Sequence, residues 1–393
     1  MSEENIQENI PIQDDSYLSI LTSTVVENYP KYAQERILKT LEKNEVVKLK
    51  TNRPNPKQVN FLDLSSLEDS ERQLIVGIEQ DNRVVKRIEK EEFLKSYKFS
   101  ALFAVKSIEN KDIEELQKKG KITDFFAGDD VHDVLIRNHR YQEAVPTKYA
   151  IGNVLMFKFS ILLSGTKPNS NERKEVKFPV LGVYFNHLGA LEIRMDRAKT
   201  YFQEDEFFYK NQIDFVINWF ETNLNCEVEN ISLPPLIEYI KQNAEGEVNI
   251  HSQAMNLATG GKVVLDTGIN EDYILPLLGE LKELIKANQE LFDYSPEIKK
   301  LLDGFISETE TNADLPWIAL IWKGKDNANT TVKFKHNYLN QGYSFWQYYG
   351  QQSDMEKMDY VTEYIVKNQR EFERLQSNGA GETRETIGDT IDN

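Results

Sequence analysis

ILPLLGELKELIKANQEL at residues 274–291, with LPWIALIW at 315–322 and TTVKFK at 330–335 after it, decides the fold class of this chain. Ile274, Leu278, Leu281, Ile285 and Leu291 recur near helical spacing, with Glu280, Lys282, Glu283, Lys286 and Glu290 between them. That pattern predicts an amphipathic helix with one buried stripe. Pro276 stands in its first turn, where a missing N–H costs nothing. Ser295 and Pro296 suit the N-cap and first position of a shorter helix reaching Phe305. Leu315–Trp322 is apolar at both alternating sets of positions, so it reads as a strand covered on both faces. Gly324–Asn329 carries turn residues, and Val332 and Phe334 then alternate with Lys333 and Lys335. The two runs form a predicted β-hairpin over 315–335. Helices and an antiparallel pair in one stretch define an α+β protein.

Working outward, Gly342–Gln352 is dense in aromatic residues, and Ser353-Asp354-Met355-Glu356 is a capping box that opens a closing helix. Met358, Val361, Ile365, Asn368, Phe372 and Leu375 then follow at 3-4-3-4-3 spacing. Such a heptad row either packs on the helix's own domain or meets a partner helix. Met358, Val361, Ile365, Asn368 and Phe372 are therefore the candidate partner-binding residues. Upstream, Leu155, Phe157, Phe159, Ile161 and Leu163 alternate strictly, and Val176–Phe185 and Leu191–Met195 follow after turn-forming segments. This is an antiparallel β-meander in the N-terminal half, with a long first loop over Ser164–Glu175. Gln73–Ile78 and Arg83–Ile88 flank Gln80-Asp81-Asn82 and read as another hairpin. Ser16–Asn44 reads as two helical pieces, restarted at Pro30.

The domain expectation follows. Residues 1–15 are a disordered acidic N-terminus, and 16–200 an α+β domain holding the meander. Residues 201–375 are a helix-rich domain with hairpin 315–335 and a closing amphipathic helix, and 376–393 a disordered tail. The boundary is set near 197–208, where strands give way to helices.

A chain of 393 residues can bury a large core without staples. Its single cysteine, Cys226, forbids an internal disulfide and any zinc site needing two thiolates. The first fifteen residues lack the basic and apolar regions of a secretory signal, and no run of eighteen apolar residues is present. The expectation is a soluble cytoplasmic protein. A bacterial origin is inferred from the Ile-, Asn- and Lys-rich, cysteine-poor composition. The net charge of −17 disfavours non-specific binding to nucleic acid or anionic membranes, so a basic groove would have to stand out locally.

Three clusters carry candidate chemistry. Asp129, Asp130, His132 and Asp133 crowd carboxylates and an imidazole that could hold a divalent metal. The HD-type phosphohydrolase pattern needs an upstream histidine, and His132 is the first in the chain. Asp266 with Glu280-Leu281-Lys282 resembles the PD-(D/E)xK nuclease motif over three residues. In that family the acids hold Mg²⁺ and the lysine orients the attacking water. The resemblance implies Asp266, Glu280 and Lys282 as catalytic residues with Mg or Mn, although the family carries Glu-x-Lys on a strand and this sequence places it on a helix. Lys333, Lys335, Tyr343, Trp346 and Tyr349 mix cations with rings that can stack unpaired bases. The same rings also suit a hydrophobic core.

Phosphate-cradling, zinc-peptidase, nucleophile-elbow and EF-hand motifs are absent from the sequence. The leading expectation is a non-catalytic, cytosolic interaction or assembly subunit, without a cofactor, that meets a protein partner or itself through 353–375. The alternatives are a metal-dependent nuclease or other phosphodiester-processing enzyme, and a single-stranded nucleic-acid binding protein.

Overall fold

The computed structural model describes residues 14–52, 60–106, 108–125, 135–136, 144–243, 246–256, 262–266, 281, 284–311, 314–323, 329–350 and 355–388. The protein is α+β and divides into two units, one of residues 1–97 and 103–229, the other of 98–102 and 230–393.

The first unit begins with α1 (Asp14–Asn28), α2 (Lys31–Lys43), the short parallel pair β1 (Val47–Lys48) and β2 (Leu62–Asp63), α3 (Ser70–Gln80) and α4 (Asn82–Leu94). Leu21, Val25, Ile37, Leu41, Leu74 and Ile88 share one core. The expected hairpin over 73–88 is instead the helix pair α3–α4. Leu74 and Ile78 lie four apart, as do Val84 and Ile88, and all four are buried, so the helical period wins. Asp81 acts as a cap rather than a hairpin turn: its carboxylate accepts the Arg83 N–H at 2.9 Å.

Next come β3 (Phe99–Val105), α5 (Asn110–Lys118), β4 (Thr123–Asp124), β5 (Leu135–Ile136), β6 (Thr147–Ile151), β7 (Val154–Thr166), β8 (Arg173–Phe185), β9 (Ala190–Met195), α6 (Phe208–Leu224) and β10 (Val228–Asn230). Strands β6 to β9 are consecutive antiparallel neighbours, while β4 joins β6 and β5 joins β7 in parallel. The meander is present, with a shorter first loop than expected. Strands β7 and β8 stay paired from Val154↔Phe185 to Thr166↔Arg173, and Asn171 turns the chain in the left-handed region at φ 52°.

One face of the meander packs on α6. The Phe157 ring lies 5.2 Å from Phe220, and Phe159 lies 5.3 Å from Trp219. This contact explains why the units do not divide at 200: α6 covers the first unit's own sheet, so the division falls after Glu229.

The second unit holds α7 (Leu233–Asn243), β11 (Val248–Asn256), β12 (Lys262–Asp266), α8 (Gln289–Asp293), α9 (Pro296–Thr311), β13 (Asp314–Trp322), β14 (Thr330–Lys335), β15 (Phe345–Tyr349) and α10 (Glu356–Gly388). Strand order is β12-β11-β13-β14-β15 followed by the 98–102 part of β3, with antiparallel neighbours throughout. The 315–335 hairpin is there, as is the closing helix. Ile318, Leu320, Trp322, Val332, Phe334, Trp346 and Tyr348 form one buried face. The Trp322 ring lies 6.1 Å from Tyr364 of α10. The sequence predicts that the opposite face is covered as well, and there Ala319 and Phe345 are buried while Trp317, Ile321, Lys333 and Lys335 are half-buried.

Helix α10 runs on to Gly388, so the tail expected to be disordered from 376 is helical through that residue. Extending a formed helix adds one hydrogen bond per residue without a new nucleus. No helix among the described residues is long and apolar enough to cross a membrane.

Candidate functional site

The first unit carries an unusual polar interior. Alternation puts Lys158 of β7, Lys177 of β8, and Glu192 and Arg194 of β9 on the sheet face opposite α6. Helix α4 supplies Glu89 and Glu92 to the same layer, and all six side chains are buried. Lys158 Nζ donates to Glu92 Oε2 and to the Glu89 carbonyl, both at 3.0 Å. Lys177 Nζ donates to Glu92 Oε2 at 2.7 Å and to Tyr17 Oη at 3.1 Å. Tyr17 donates to Glu89 at 2.7 Å, Tyr29 to Glu92 at 3.0 Å, and Arg194 to Glu192 at 2.5 Å.

Three cations thus meet three carboxylates, which is how charges survive removal from water. Burial, reinforced by the neighbouring Glu92 charge, pushes the Tyr29 hydroxyl well above its ordinary pKa, so it stays a donor. The layer is balanced and closed to solvent.

At the edge of this unit, Glu27 of α1 accepts from Lys199 at 2.5 Å and Tyr201 at 2.8 Å, with Lys167 at 3.5 Å. Burial pushes this carboxyl up, but the two hydrogen bonds and the two lysine charges outweigh it and bring its pKa down to about 2. A lowered folded-state pKa contributes stability that is present above the ordinary value of 4.5 and is lost as pH falls towards 2. Glu27→Gln is therefore expected to be less stable than the parent at pH 6, with the gap closing as pH falls through that window. Urea unfolding midpoints at stepped pH test this; a gap that persists at pH 2 would overturn the assignment.

Of the sequence-derived candidates, Asp129, Asp130, His132, Asp133, Glu280 and Lys282 lie outside the described residues. So do Ser353 and Asp354 of the capping box. Asp266 ends β12, where it pairs in register with Ser252. Among the described residues, no group of three His, Cys, Asp or Glu side chains is placed to hold a metal ion.

The structure separates the five candidate nucleic-acid residues. Trp346 and Tyr343 are buried, which removes their faces from any base. Lys333, Lys335 and Tyr349 fall on the other side of the sheet by register. Lys333 Nζ stands 3.4 Å from the centre of the Trp317 ring, a residue the sequence reading had placed in a covered strand. Burial lowers the pKa of Lys335.

The heptad row of α10 divides in the same way. Met358, Val361 and Ile365 are fully buried in the second unit's own core. Asn368 donates from Nδ2 to the Tyr364 carbonyl at 2.9 Å, and Phe372 lies 5.4 Å from Tyr239 of α7. The seam's first half is thus internal packing, and only Leu375 at its end is exposed.

The apolar surface that is left open lies on α8 and α9. Ile298, Leu301 and Phe305 share one face of α9 at spacings of three and four, with Leu291 in α8 and Tyr294 between the two helices. Their exposures are 53%, 73%, 54%, 68% and 89% respectively. Among the described residues, a small cluster behind them buries Ile285 and Ile306, with Leu281, Phe292 and Leu302 partly covered. No family model, curated protein or solved structure matches this chain.

Proposed function

We propose that this protein is a non-catalytic assembly subunit that binds a protein partner through the open face of α8 and α9. The observation that carries the reading is the exposure of Leu291, Tyr294, Ile298, Leu301 and Phe305 together. Single apolar residues on a surface are ordinary, whereas a cluster of large ones marks an interaction face. The 3-4 spacing on α9 is the geometry that receives a partner helix. The chain's charge of −17 repels a second copy, and Glu290, Asp293, Glu297 and Asp303 outnumber Lys299 and Lys300 along these helices. A partner helix with an apolar stripe flanked by Lys or Arg fits both features.

Leu301→Asp is the test. Its side chain is mostly exposed, so the fold should be retained, while the yield of a stoichiometric partner in a native pull-down should fall at least about tenfold, given how few residues dominate such interfaces. A partner retained by the variant, or a parent protein recovered alone, would count against the proposal. The absorbance ratio at 260 and 280 nm of the same sample reports any co-purifying nucleic acid.

A further inference from the structure

We infer that the outer face of the second unit's sheet binds single-stranded nucleic acid, with Trp317 and Tyr349 as stacking rings and Lys98, Lys333 and Lys335 as phosphate contacts. The inference is independent of the partner surface on α8 and α9.

The first support is a local reversal of charge. The chain as a whole carries 64 acidic and 47 basic side chains, yet Leu315 to Gly350 holds Lys323, Lys325, Lys333, Lys335 and His336 against the single acid Asp326. Strands β14 and β15 contain no carboxylate. By register Asp266 of β12 shares this face, but it stands three strands from Lys333, so the β14–β15 part of the face is basic and free of carboxylates. A local basic patch on an acidic protein has the electrostatic footprint of a polyanion site.

The second support is the placement of rings beside cations. Register puts Trp317 level with Lys335, and Tyr349 level with Thr331 and Ile321. The two rings therefore stand four residues apart along the strands and two strands apart across them, roughly 13 Å by 10 Å. Lys333 lies against the Trp317 ring, and Lys98 Nζ is 4.7 Å from the centre of the Tyr349 ring. Each ring thus carries an ammonium over one of its faces, so a base would stack on the other face with a cation close enough to neutralise its phosphate. Among the described residues no carboxylate is paired with Lys335, so that ammonium is available to an anion.

A sheet face with stacking rings also favours single strands over duplex, because unpaired bases can lie on the rings while a duplex hides theirs. Base stacking on rings tolerates any sequence, so DNA and RNA share the chemistry, and the two are separated only by the test.

Trp219, Trp322 and Trp346 are buried, which leaves Trp317 as the tryptophan a ligand can touch. Titrating the full chain with dT and rU homopolymers, and with a duplex, should quench tryptophan emission with the single strands only. Binding should weaken with salt at a slope of about −2, from about −0.7 for each of three phosphate contacts. Lys333→Glu with Lys335→Glu should weaken binding at least about tenfold and flatten the slope, and Trp317→Ala should weaken it about fivefold or more while abolishing the quench. The half-exposed positions of all three residues keep the fold intact, which circular dichroism checks. A preference for rU over dT would assign RNA as the ligand and the reverse DNA. No quench with either strand, equal affinity for duplex, or unchanged affinity in the lysine double variant would each overturn the inference.

Discussion

Glu92→Ala is expected to destabilise the first unit by about 3–5 kcal/mol, the range for removing one partner of a buried ion pair. Glu92 accepts from Lys158, Lys177 and Tyr29 at once, and both lysines are fully buried. Without it, Lys158 and Lys177 both lose a carboxylate acceptor, and the hydroxyl of Tyr29 loses its own. A loss of this size is a large part of the total stability of about 5–15 kcal/mol typical of a domain. The companion variant Glu92→Leu with Lys158→Met and Lys177→Met should recover most of the loss, because apolar groups of similar volume fill the layer without a desolvation penalty. Urea unfolding followed by circular dichroism measures both. A single-variant loss below about 1 kcal/mol would show that the layer is hydrated and worth no more than a surface pair.

Ile365→Asp is expected to unfold the second unit rather than release a partner. Ile365 has no exposed surface, between Val361 and Val366, which are also buried. Losing its side chain alone costs about 2–5 kcal/mol, and an unpaired carboxylate in the same place adds several more. Trp322, in contact with Tyr364 of the same helix, should shift its emission to the red as water reaches it. Leu375→Asp, ten residues further along the same heptad row and half exposed, should change stability by no more than about 0.5 kcal/mol. Equal effects at the two positions would mean that the row is continuous and that the partition between core and surface is wrong.

Both expectations turn on what covers a residue, and there the sequence was least informative. The alternation in β7 to β9 showed that Lys158, Lys177, Glu192 and Arg194 share a face. Ordinarily a polar face of an antiparallel sheet meets water. Here α1 and α4 cover it, and the carboxylate that neutralises Lys158 lies 66 residues away in the chain. The heptad of α10 likewise showed a seam without showing which surface fills it. The aromatic run after Gly342 gave no sign that Trp346 turns inward while Trp317 stays at the surface, because the strands on which the two lie are not neighbours in sequence or in the sheet. The hairpin reading of 73–88 failed differently. Its helical spacing is present in the sequence, but aspartate suits a turn and a helix cap alike, and here the Asp81 side chain caps a helix.

By itself, the sequence determined the α+β class, the meander, the hairpin at 315–335 and the closing helix. Each is written in apolar periods of two or about three and a half residues, which depend only on local backbone geometry. The tertiary structure alone decided that three cations lie in a closed interior, that α6 belongs with the first unit, that large apolar residues of α8 and α9 are exposed, and that Trp317 is half-buried. Burial is a property of the elements packed against a residue, and those elements come from distant parts of the chain that no local period encodes.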